Sequence, residues 1–220
     1  MLNGNYVILS IDFDYFVNAD YETRSTSFPD GHEGFTPQIQ KIIWDRYYPD
    51  MFNIDIKIDE LRKTVDYCKG TYAFKKGLVF SFESHKELYD LIKKNKMEKC
   101  HVFNIDFHHD MYSVPHSSEC SVDCGNWGSV LKEENPDFKL SWIACDDSDR
   151  SALGVEEVDC HEIIDLDTLL ENTPAECIDV IFICRSDMWT PPHLDKWYKE
   201  MELELRKQQI LEEREVTVNE

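Results

Sequence analysis

Short apolar runs alternate with helical stretches along most of the chain. Most of these runs are nearly continuous, which is typical of strands buried on both faces of a parallel sheet. Strands and helices that alternate in this way indicate a layered α/β fold. The six predicted strands are residues 6–12, 78–82, 101–106, 140–145, 161–164 and 178–184.

Helix signals lie between the strands. Thr36 is a good N-cap residue, and Pro37 follows it at a position where a missing N–H is tolerated. A last helix is predicted over about residues 192–213, with residues 214–220 as a flexible tail. We therefore predict one domain over residues 1–220, a three-layer αβα fold with a mainly parallel sheet. The remaining predicted helices cover about residues 59–68, 86–94 and 127–133.

Residues 13–35 fit neither pattern. This stretch has no apolar period and is too long for an ordinary connection between two elements. We interpret it as a functional loop.

Length and composition limit the class of protein. With 220 residues, 42% of them apolar, the chain can bury the core of one α/β domain. No window approaches the roughly 18 apolar residues of a membrane-spanning helix, and the N-terminus lacks the basic region of a signal peptide. Eight cysteines without C-x-x-C spacing suit reduced thiols. We therefore expect a cytoplasmic protein that does not enter a membrane.

The formal net charge of −21 bears on the partners of the chain. Nucleic-acid backbones are bound by clusters of Lys and Arg, which this sequence lacks, so we expect no nucleic-acid partner. An acidic protein attracts cations and cationic substrates, although the same charge can also serve solubility alone.

The segment "NIDFHHD" gathers potential metal ligands directly after an apolar run. If the strand continues, Asp106, His108 and Asp110 alternate along it and project to one side. Open α/β sheets place their sites at the carboxyl ends of strands, where these side chains would converge. A second acidic pair, Asp12 and Asp14 in "SIDFDYF", ends another apolar run. It would face the same crevice if the two strands are neighbours.

Four carboxylates in one pocket require positive charge. Each uncompensated buried charge costs several kcal/mol, so divalent cations are the simplest compensation. Oxygen ligands with one or two imidazoles suit Mn²⁺, and two ions bridged by a carboxylate can activate water for hydrolysis. The alternative is that these acids cap turns or helices at the ends of strands.

The two acidic motifs resemble those of the arginase/ureohydrolase superfamily. "SIDFDYF" is similar to its S-x-D-x-D signature, and "NIDFHHD" is similar to its D-x-H-x-D signature. "FSFESHKELYD" offers His85, which resembles the single upstream histidine of that family, and "CGNWG" resembles its S-G-N segment. The S-x-D-x-D motif comes first here but last in common arginases. This order resembles the peptide arginases, which convert arginine side chains of ribosomally made peptides to ornithine and release urea.

The resemblance implies an arginase/deacetylase-like fold, two Mn²⁺ ions and an arginine-containing precursor peptide as the substrate. One ion would be bound by His85, Asp106, Asp110 and Asp12, and the other by His108, Asp106, Asp12 and Asp14. Asp106 and Asp12 would bridge the ions around the hydroxide that attacks the guanidinium carbon. Asp106 and Asp110 would therefore serve catalysis as well as metal binding.

The proton donor for the leaving amine is a separate question. Common arginases carry a histidine two residues after the Asn of S-G-N, and Gly128 occupies that position here. We expect His116 to be the donor, because its loop leaves Asp110 directly. His109 and His32 are the alternatives.

Recognition of a guanidinium requires a planar acceptor, and a carboxylate is its natural bidentate partner. Asp187 follows the last predicted strand and is the first candidate, with Glu83 as the alternative. Asn126 either contacts the substrate or caps the helix that follows it. Trp127 and Trp189 are candidates for the mouth of the site, or else belong to the core.

Three classes of function follow from these residues. The first is a dimanganese hydrolase that acts on arginine residues of a peptide, or on a small guanidino compound such as agmatine or free arginine. The second is a zinc amidohydrolase of the deacetylase type, which would use one ion and need neither Asp14 nor His85. The third is a non-catalytic protein that binds a metal or another cation. Gly128 leaves the third open, and the presence of all six ligand positions favours the first.

Overall fold

A computed structural model describes residues 5–29, 35–48, 51, 53–76, 78–97, 99–112, 121–151, 153–154, 158–186 and 188–218. Within these residues six strands form one sheet, and every neighbouring pair is parallel. The strands are β1 Tyr6–Asp12, β2 Val79–Phe82, β3 Cys100–Asp106, β4 Lys139–Ala144, β5 Glu162–Ile164 and β6 Val180–Cys184. Their order across the sheet is β2-β6-β1-β3-β4-β5.

Helices cover both faces of this sheet, which confirms the three-layer α/β fold. Thr36 caps the second helix as predicted, since its hydroxyl accepts a hydrogen bond from the Ile39 N–H at 3.4 Å. The helices in the described residues are α1 Tyr21–Ser27, α2 Pro37–Tyr47, α3 Ile58–Lys69, α4 Tyr72–Lys76, α5 Lys86–Asn95, α6 Trp127–Glu134, α7 Leu166–Asn172 and α8 Asp195–Val218.

Side chains of the central strands alternate between two apolar cores. Leu9 and Ile11 belong to the core under α3 and α8, whereas Ile8 belongs to the core under α5 and α6. Because strand side chains alternate with a period of two, Ser10 and Asp12 lie on the same face as Ile8. The polar positions of β1 therefore point towards the layer formed by α5 and α6.

The stretch from residue 13 to residue 35 is not an irregular loop. Phe13–Phe16 forms a 3-10 turn directly after β1, and α1 follows it. Asp20 caps α1 by accepting a hydrogen bond from the Thr23 N–H at 2.8 Å. Residues 30–34 lie outside the described part of the chain. The prediction of a loop was wrong because α1 is a short, largely polar helix without an apolar stripe.

Three further differences concern helices. The short helices α4 and α7 were not predicted. The last helix begins at Asp195 after a 3-10 turn at Pro192–Leu194, and it continues to Val218, beyond the predicted end at residue 213.

Among the described residues, no helix has both the length and the apolar character that a membrane span requires.

Candidate metal centre

The topology of the sheet brings the two acidic motifs together. β1 and β3 are neighbours in a register that pairs Ser10 with Asn104 and Ile11 with Ile105, so Asp12 ends its strand beside Asp106. The chain proceeds from β1 to β2 on one side of this pair and from β3 to β4 on the other. Such a reversal opens a crevice at the carboxyl ends of the strands. The expectation that the two strands are neighbours is therefore correct.

One half of the site is built around His85, the residue that precedes α5. Its Nδ1 lies 3.3 Å from Asp12 Oδ2, 3.2 Å from Asp106 Oδ2 and 2.9 Å from Asp110 Oδ2. All four side chains are buried. We call these residues the inner subsite: His85, Asp12, Asp106 and Asp110.

The second half lies beside the 3-10 turn that follows β1. His108 Nδ1 is 3.5 Å from Asp14 Oδ2 and 4.0 Å from Asp106 Oδ1. The turn is fixed to β1 because the Asp14 N–H donates a hydrogen bond to Asp12 Oδ1 at 3.1 Å. We call Asp14, Asp106 and His108 the outer subsite. Together the two subsites form the ligand cluster of six residues.

The donor atoms of the inner subsite fit a metal ion. Nδ1 of His85 has no hydrogen-bond partner in the structure, although three carboxylate oxygens lie within 3.3 Å of it. Ligands ~2.1 Å from an octahedrally coordinated ion and at right angles to each other are ~3.0 Å apart. The observed spacing of 2.9–3.3 Å is therefore that of neighbouring ligands around a small divalent ion.

The three side chains of D-x-H-x-D converge through a turn and not through strand alternation. β3 ends at Asp106, and the chain then bends at Phe107 and His108. Asp110 has a φ of 57°, a left-handed conformation that Asp tolerates better than most residues. The predicted end of this strand at residue 106 is correct, and the condition that it continues further is not met, although all three side chains reach the ligand cluster.

Arg24 of α1 is a buried cation beside the outer subsite. Its Nη1 lies 3.5 Å from Asp14 Oδ2, and its guanidinium is stacked 3.8 Å from the centre of the Phe107 ring. No sequence pattern indicates this residue, because the helix that carries it has no apolar period. Contact with both acidic motifs makes Arg24 part of the site.

The pKa values of the two aspartates of "SIDFDYF" are shifted in opposite directions, although both side chains are buried. Burial, together with the charges of Asp14 and Asp106, raises the pKa of Asp12 to about 7. Burial would also raise the pKa of Asp14, but hydrogen bonding to His108 and the charge of Arg24 hold that pKa below its usual value. Asp14 therefore stays ionised without a metal, whereas Asp12 is partly protonated at neutral pH.

Burial and neighbouring charges also shift the pKa values of Asp106, His85 and His108. Burial and the charges of Asp110 and Asp14 raise the pKa of Asp106 to about 8. Burial opposes a charge on His85, but Asp110 and the other inner carboxylates raise its pKa well above the usual value. The pKa of His108 is raised in the same way by Asp14. Without ions, these histidines act as the counter-charges of the cluster.

Three neutral side chains hold the inner ligands in place. Ser10 Oγ lies 2.6 Å from His85 Nε2, and this contact orients the ring so that Nδ1 faces the carboxylates. The Trp127 indole N–H donates to Asp110 Oδ2 at 2.6 Å. Asn104 Nδ2 donates to Asp106 Oδ2 at 3.2 Å. Partners of this kind fix the orientation of metal ligands and adjust their basicity.

Cys184 is a further residue that sequence reasoning did not assign to the site. It ends β6 opposite Asp12, and its sulfur, a carboxylate oxygen of Asp12 and a ring nitrogen of His85 lie within 4.8 Å of one another. Burial and the nearby negative charge of Asp12 hold the pKa of its thiol well above the usual value. Its place in an otherwise apolar strand concealed it.

The structure describes one of the three candidate proton donors, His109. His109 accepts a hydrogen bond from the Met111 N–H at Nδ1, and its Nε2 faces the Leu153 carbonyl at 2.8 Å. Both ring nitrogens are thus engaged in holding the chain, and burial lowers the pKa of this histidine. His116 and His32 lie outside the described residues.

Gly128 is a packing requirement of the site. Its N–H donates to the Asp110 carbonyl at 3.1 Å. A Cβ at this position would lie 2.6 Å from Met111 Sδ and 3.0 Å from the Asp110 carbonyl oxygen. A larger side chain at this position would require Met111 and the Asp110 backbone to shift.

The three predicted substrate residues lie in different surroundings. Asn126 is buried, and its side chain bonds to the backbone of Asp123 and Ser121. Glu83 is exposed and lines a cleft of about 380 Å³ whose described lining contains none of the ligand cluster. Asp187 lies outside the described residues.

Solvent reaches the described part of the ligand cluster mainly at His108. Its side chain is 16% exposed, whereas those of the other five ligands are 5% exposed or less. The ring of the partly buried Trp189 lies 4.7 Å from the His108 ring. A substrate would therefore approach past His108 and Trp189. Comparison with known proteins adds no relative, because no family model, curated protein or solved structure matches the chain.

Proposed function

We propose that this protein is a dinuclear metal hydrolase that cleaves the guanidino group of arginine residues in a ribosomally made peptide, giving ornithine and urea. One observation carries the proposal. Six side chains from three separate segments of the chain, around residues 12–14, 85 and 106–110, converge in a buried crevice, with four carboxylates but few internal cations. Two Mn²⁺ ions fit this donor set, since oxygen ligands with imidazole suit that metal.

The bound ions would supply a nucleophile at neutral pH by lowering the pKa of water. The chain's own residues would fix the geometry. His85, Asp12 and Asp110 would hold the inner ion, and His108 and Asp14 the outer one, while Asp106 would serve both. Ser10 and Trp127 would hold His85 and Asp110 in orientation, so that the cluster needs little rearrangement when substrate binds.

The presence of all six ligand positions supports a site with two ions over a site with one. A zinc amidohydrolase of the deacetylase type would need neither Asp14 nor His85, yet both are buried in contact with the cluster. If these two side chains bound no ion, burying the carboxylate and the imidazole there would cost free energy without a compensating interaction.

Substrate recognition would occur on the side of His108. Trp189 lies against His108 and offers an aromatic face for a flat cation. Asp187, two residues earlier, remains the candidate partner for the guanidinium, and His116 remains the candidate proton donor. The order of the motifs along the chain supports a peptide substrate over free arginine or agmatine.

The test is an assay of the Mn²⁺-loaded protein with arginine-containing peptides, agmatine and free arginine. Urea release, together with the mass loss that accompanies conversion of arginine to ornithine in the peptide, is the expected result. Release from agmatine or free arginine alone would move the substrate to the small guanidino compounds. No urea from any of the three would overturn the proposal.

A non-catalytic metal-binding role is the second candidate, and Gly128 favours it. The packing around this residue leaves no room for the histidine that common arginases carry there. Tight binding of Mn²⁺ with no urea from any guanidino substrate would select this role.

A further inference from the structure

Arg24 joins the two acidic motifs through an extensive set of contacts. Its Nη2 donates to the carbonyls of Asp14 and Val17 at 2.8 and 2.9 Å, and its Nε donates to the Ala19 carbonyl at 2.9 Å. Its planar face covers the Phe107 ring, next to His108. The residue is 2% exposed, so its charge is not screened by water.

This charge is distributed unequally between the subsites. Nη1 of Arg24 faces Asp14 at 3.5 Å, in the outer subsite. Around the inner subsite, Asp12 and Asp110 form ion pairs with His85, which must lose its proton to act as a ligand. An ion entering the inner subsite therefore meets uncompensated carboxylates, whereas an ion entering the outer subsite meets a fixed positive charge.

We propose that Arg24 is a built-in counter-ion of the outer subsite, and that it makes the protein bind its two metal ions in sequence, the inner one first and more tightly. The proposal rests on the dinuclear centre of the proposed function but not on the substrate. Arg24 acts here as a positioning residue: it also holds the turn that carries Asp14 against the turn that carries His108.

The charges of the pocket determine how tightly the second ion should bind. Four carboxylates and Arg24 together carry three negative charges, so one divalent ion leaves a single negative charge in the pocket. The second ion then makes the pocket positive. Unit charges a few ångströms apart in a protein interact strongly enough that loss of Arg24 should tighten the second ion by roughly tenfold or more.

The first experiment uses the unaltered chain, freed of metal by a chelator and titrated with MnCl₂. Calorimetry should resolve two binding steps that differ by roughly tenfold or more in affinity. Electron paramagnetic resonance at one equivalent should give the spectrum of isolated Mn²⁺, and the exchange-coupled spectrum of a pair should appear only with the second equivalent. Two equal steps, or a coupled spectrum below one equivalent, would overturn the inference.

Three variants assign the effect to Arg24. Arg24→Gln should tighten the second step, whereas Arg24→Lys keeps the charge and should keep the two steps apart. Arg185→Gln is the matched control, because Arg185 is also a buried arginine paired with a carboxylate, Asp195, outside the ligand cluster. Weakening of the second step in both Arg24 variants would mean that the residue only holds the fold. If Arg24→Gln does not fold, Arg24→Met removes the same charge while keeping an unbranched side chain, and it should tighten the second step in the same way; an unchanged second step would overturn the inference.

The outcomes separate this inference from the proposed function. Absence of any Mn²⁺ binding would overturn both. Two unequal steps that Arg24→Gln brings closer together, with no urea release, would uphold the role of Arg24 and refute the hydrolase. Two equal steps with urea release would do the reverse.

Discussion

The inner and outer subsites contain the same kinds of ligand but differ in their internal charge. Each has one histidine, and Asp106 belongs to both. The outer subsite has Arg24 in contact with its own aspartate, and the pKa of Asp14 lies below its usual value even though burial opposes this. In the inner subsite the pKa of Asp12 is raised to about 7, chiefly by burial. The pKa values of Asp12 and Asp14, only two residues apart, are thus shifted in opposite directions.

This comparison shows what a buried carboxylate requires. A fixed cation such as Arg24 keeps a carboxylate ionised in the folded chain, with or without a metal. A buried carboxylate without a fixed cation is either protonated or neutralised by an ion bound from solution. The inner subsite is therefore the part of the molecule in which an added ion should produce the largest gain in stability.

Removal of the shared ligand should have the largest effect. Asp106→Asn keeps the shape of the side chain but removes its charge from both subsites. Loss of a supporting residue alone typically costs 10- to 100-fold in metal affinity, so loss of this ligand should cost at least about a hundredfold at each step. Urea release from an arginine-containing peptide should disappear.

Calorimetry with MnCl₂ and the urea assay check this prediction. Asp137→Asn is the control, because it makes the same change of charge at an exposed side chain. Urea release by Asp106→Asn at the level of that control would show that the ligand cluster is not the reacting centre.

The second prediction concerns pH and the ion-free protein. The pKa values of Asp12 and Asp106 are raised to about 7 and about 8 from an ordinary value of 3.8, so folding takes up protons. Their contribution to stability is thus lost as pH rises from about 4 to about 8. The raised pKa values of His85 and His108 act in the same direction, because their favourable positive charge is also lost as pH rises.

In chelator, the melting temperature should therefore fall by roughly ten degrees between about pH 5 and about pH 8. Mn²⁺ should restore most of this loss at the higher pH, since the ions replace the protons. Thermal scans across this range with and without Mn²⁺ provide the measurement. A melting temperature in chelator that stays level or rises with pH would contradict the electrostatic description of the inner subsite.

A smaller effect is expected from a supporting side chain of the inner subsite. Trp127→Phe removes the indole N–H that donates to Asp110 Oδ2 but keeps an aromatic ring in the core. Binding of the first ion should weaken by about 10- to 100-fold, while the second step changes less. Trp142→Phe is the control, because that indole donates to the backbone carbonyl of Asp106 and not to a ligand atom. Equal effects of the two changes on the first step would mean that Trp127 serves packing alone.

The smallest effect is expected from Ser10→Ala. The hydroxyl of Ser10 orients His85, so its loss should weaken the first ion by only about tenfold or less. Ser141→Ala breaks a similar Ser–His contact, with His101 on the first half of β3, and should leave ion binding unchanged. Calorimetric titration of both variants is the check, and a stronger effect of Ser141→Ala would reverse the assignment.

The sequence predicted the sheet and the clustering of the six candidate ligands better than their surroundings. β1 and β6 could be found because strands buried on both faces form continuous apolar runs. The position of His85 followed from a resemblance of motifs, and the structure brings its ring to within 3.3 Å of three carboxylates. Strand alternation could not explain how Asp110 joins Asp106, because a left-handed turn at Asp110 depends on local packing that no periodicity reveals.

Residues that act through another residue could not be predicted. Arg24 lies on a short polar helix and reaches the ligand cluster only because the fold places it between Asp14 and Phe107. Cys184 reads as one more apolar residue of a buried strand until its pairing opposite Asp12 is known. Such roles arise from contacts between distant segments, whereas sequence patterns report mainly local structure.

The most direct test of the metal centre is an anomalous difference map, measured at the manganese edge, from crystals grown with Mn²⁺. Our account predicts two peaks, one among His85, Asp12 and Asp110 and the other between His108 and Asp14, with Asp106 next to both. A map without a peak in the ligand cluster, or a structure in which Asp12 and Asp14 lie apart from the histidines, would contradict it.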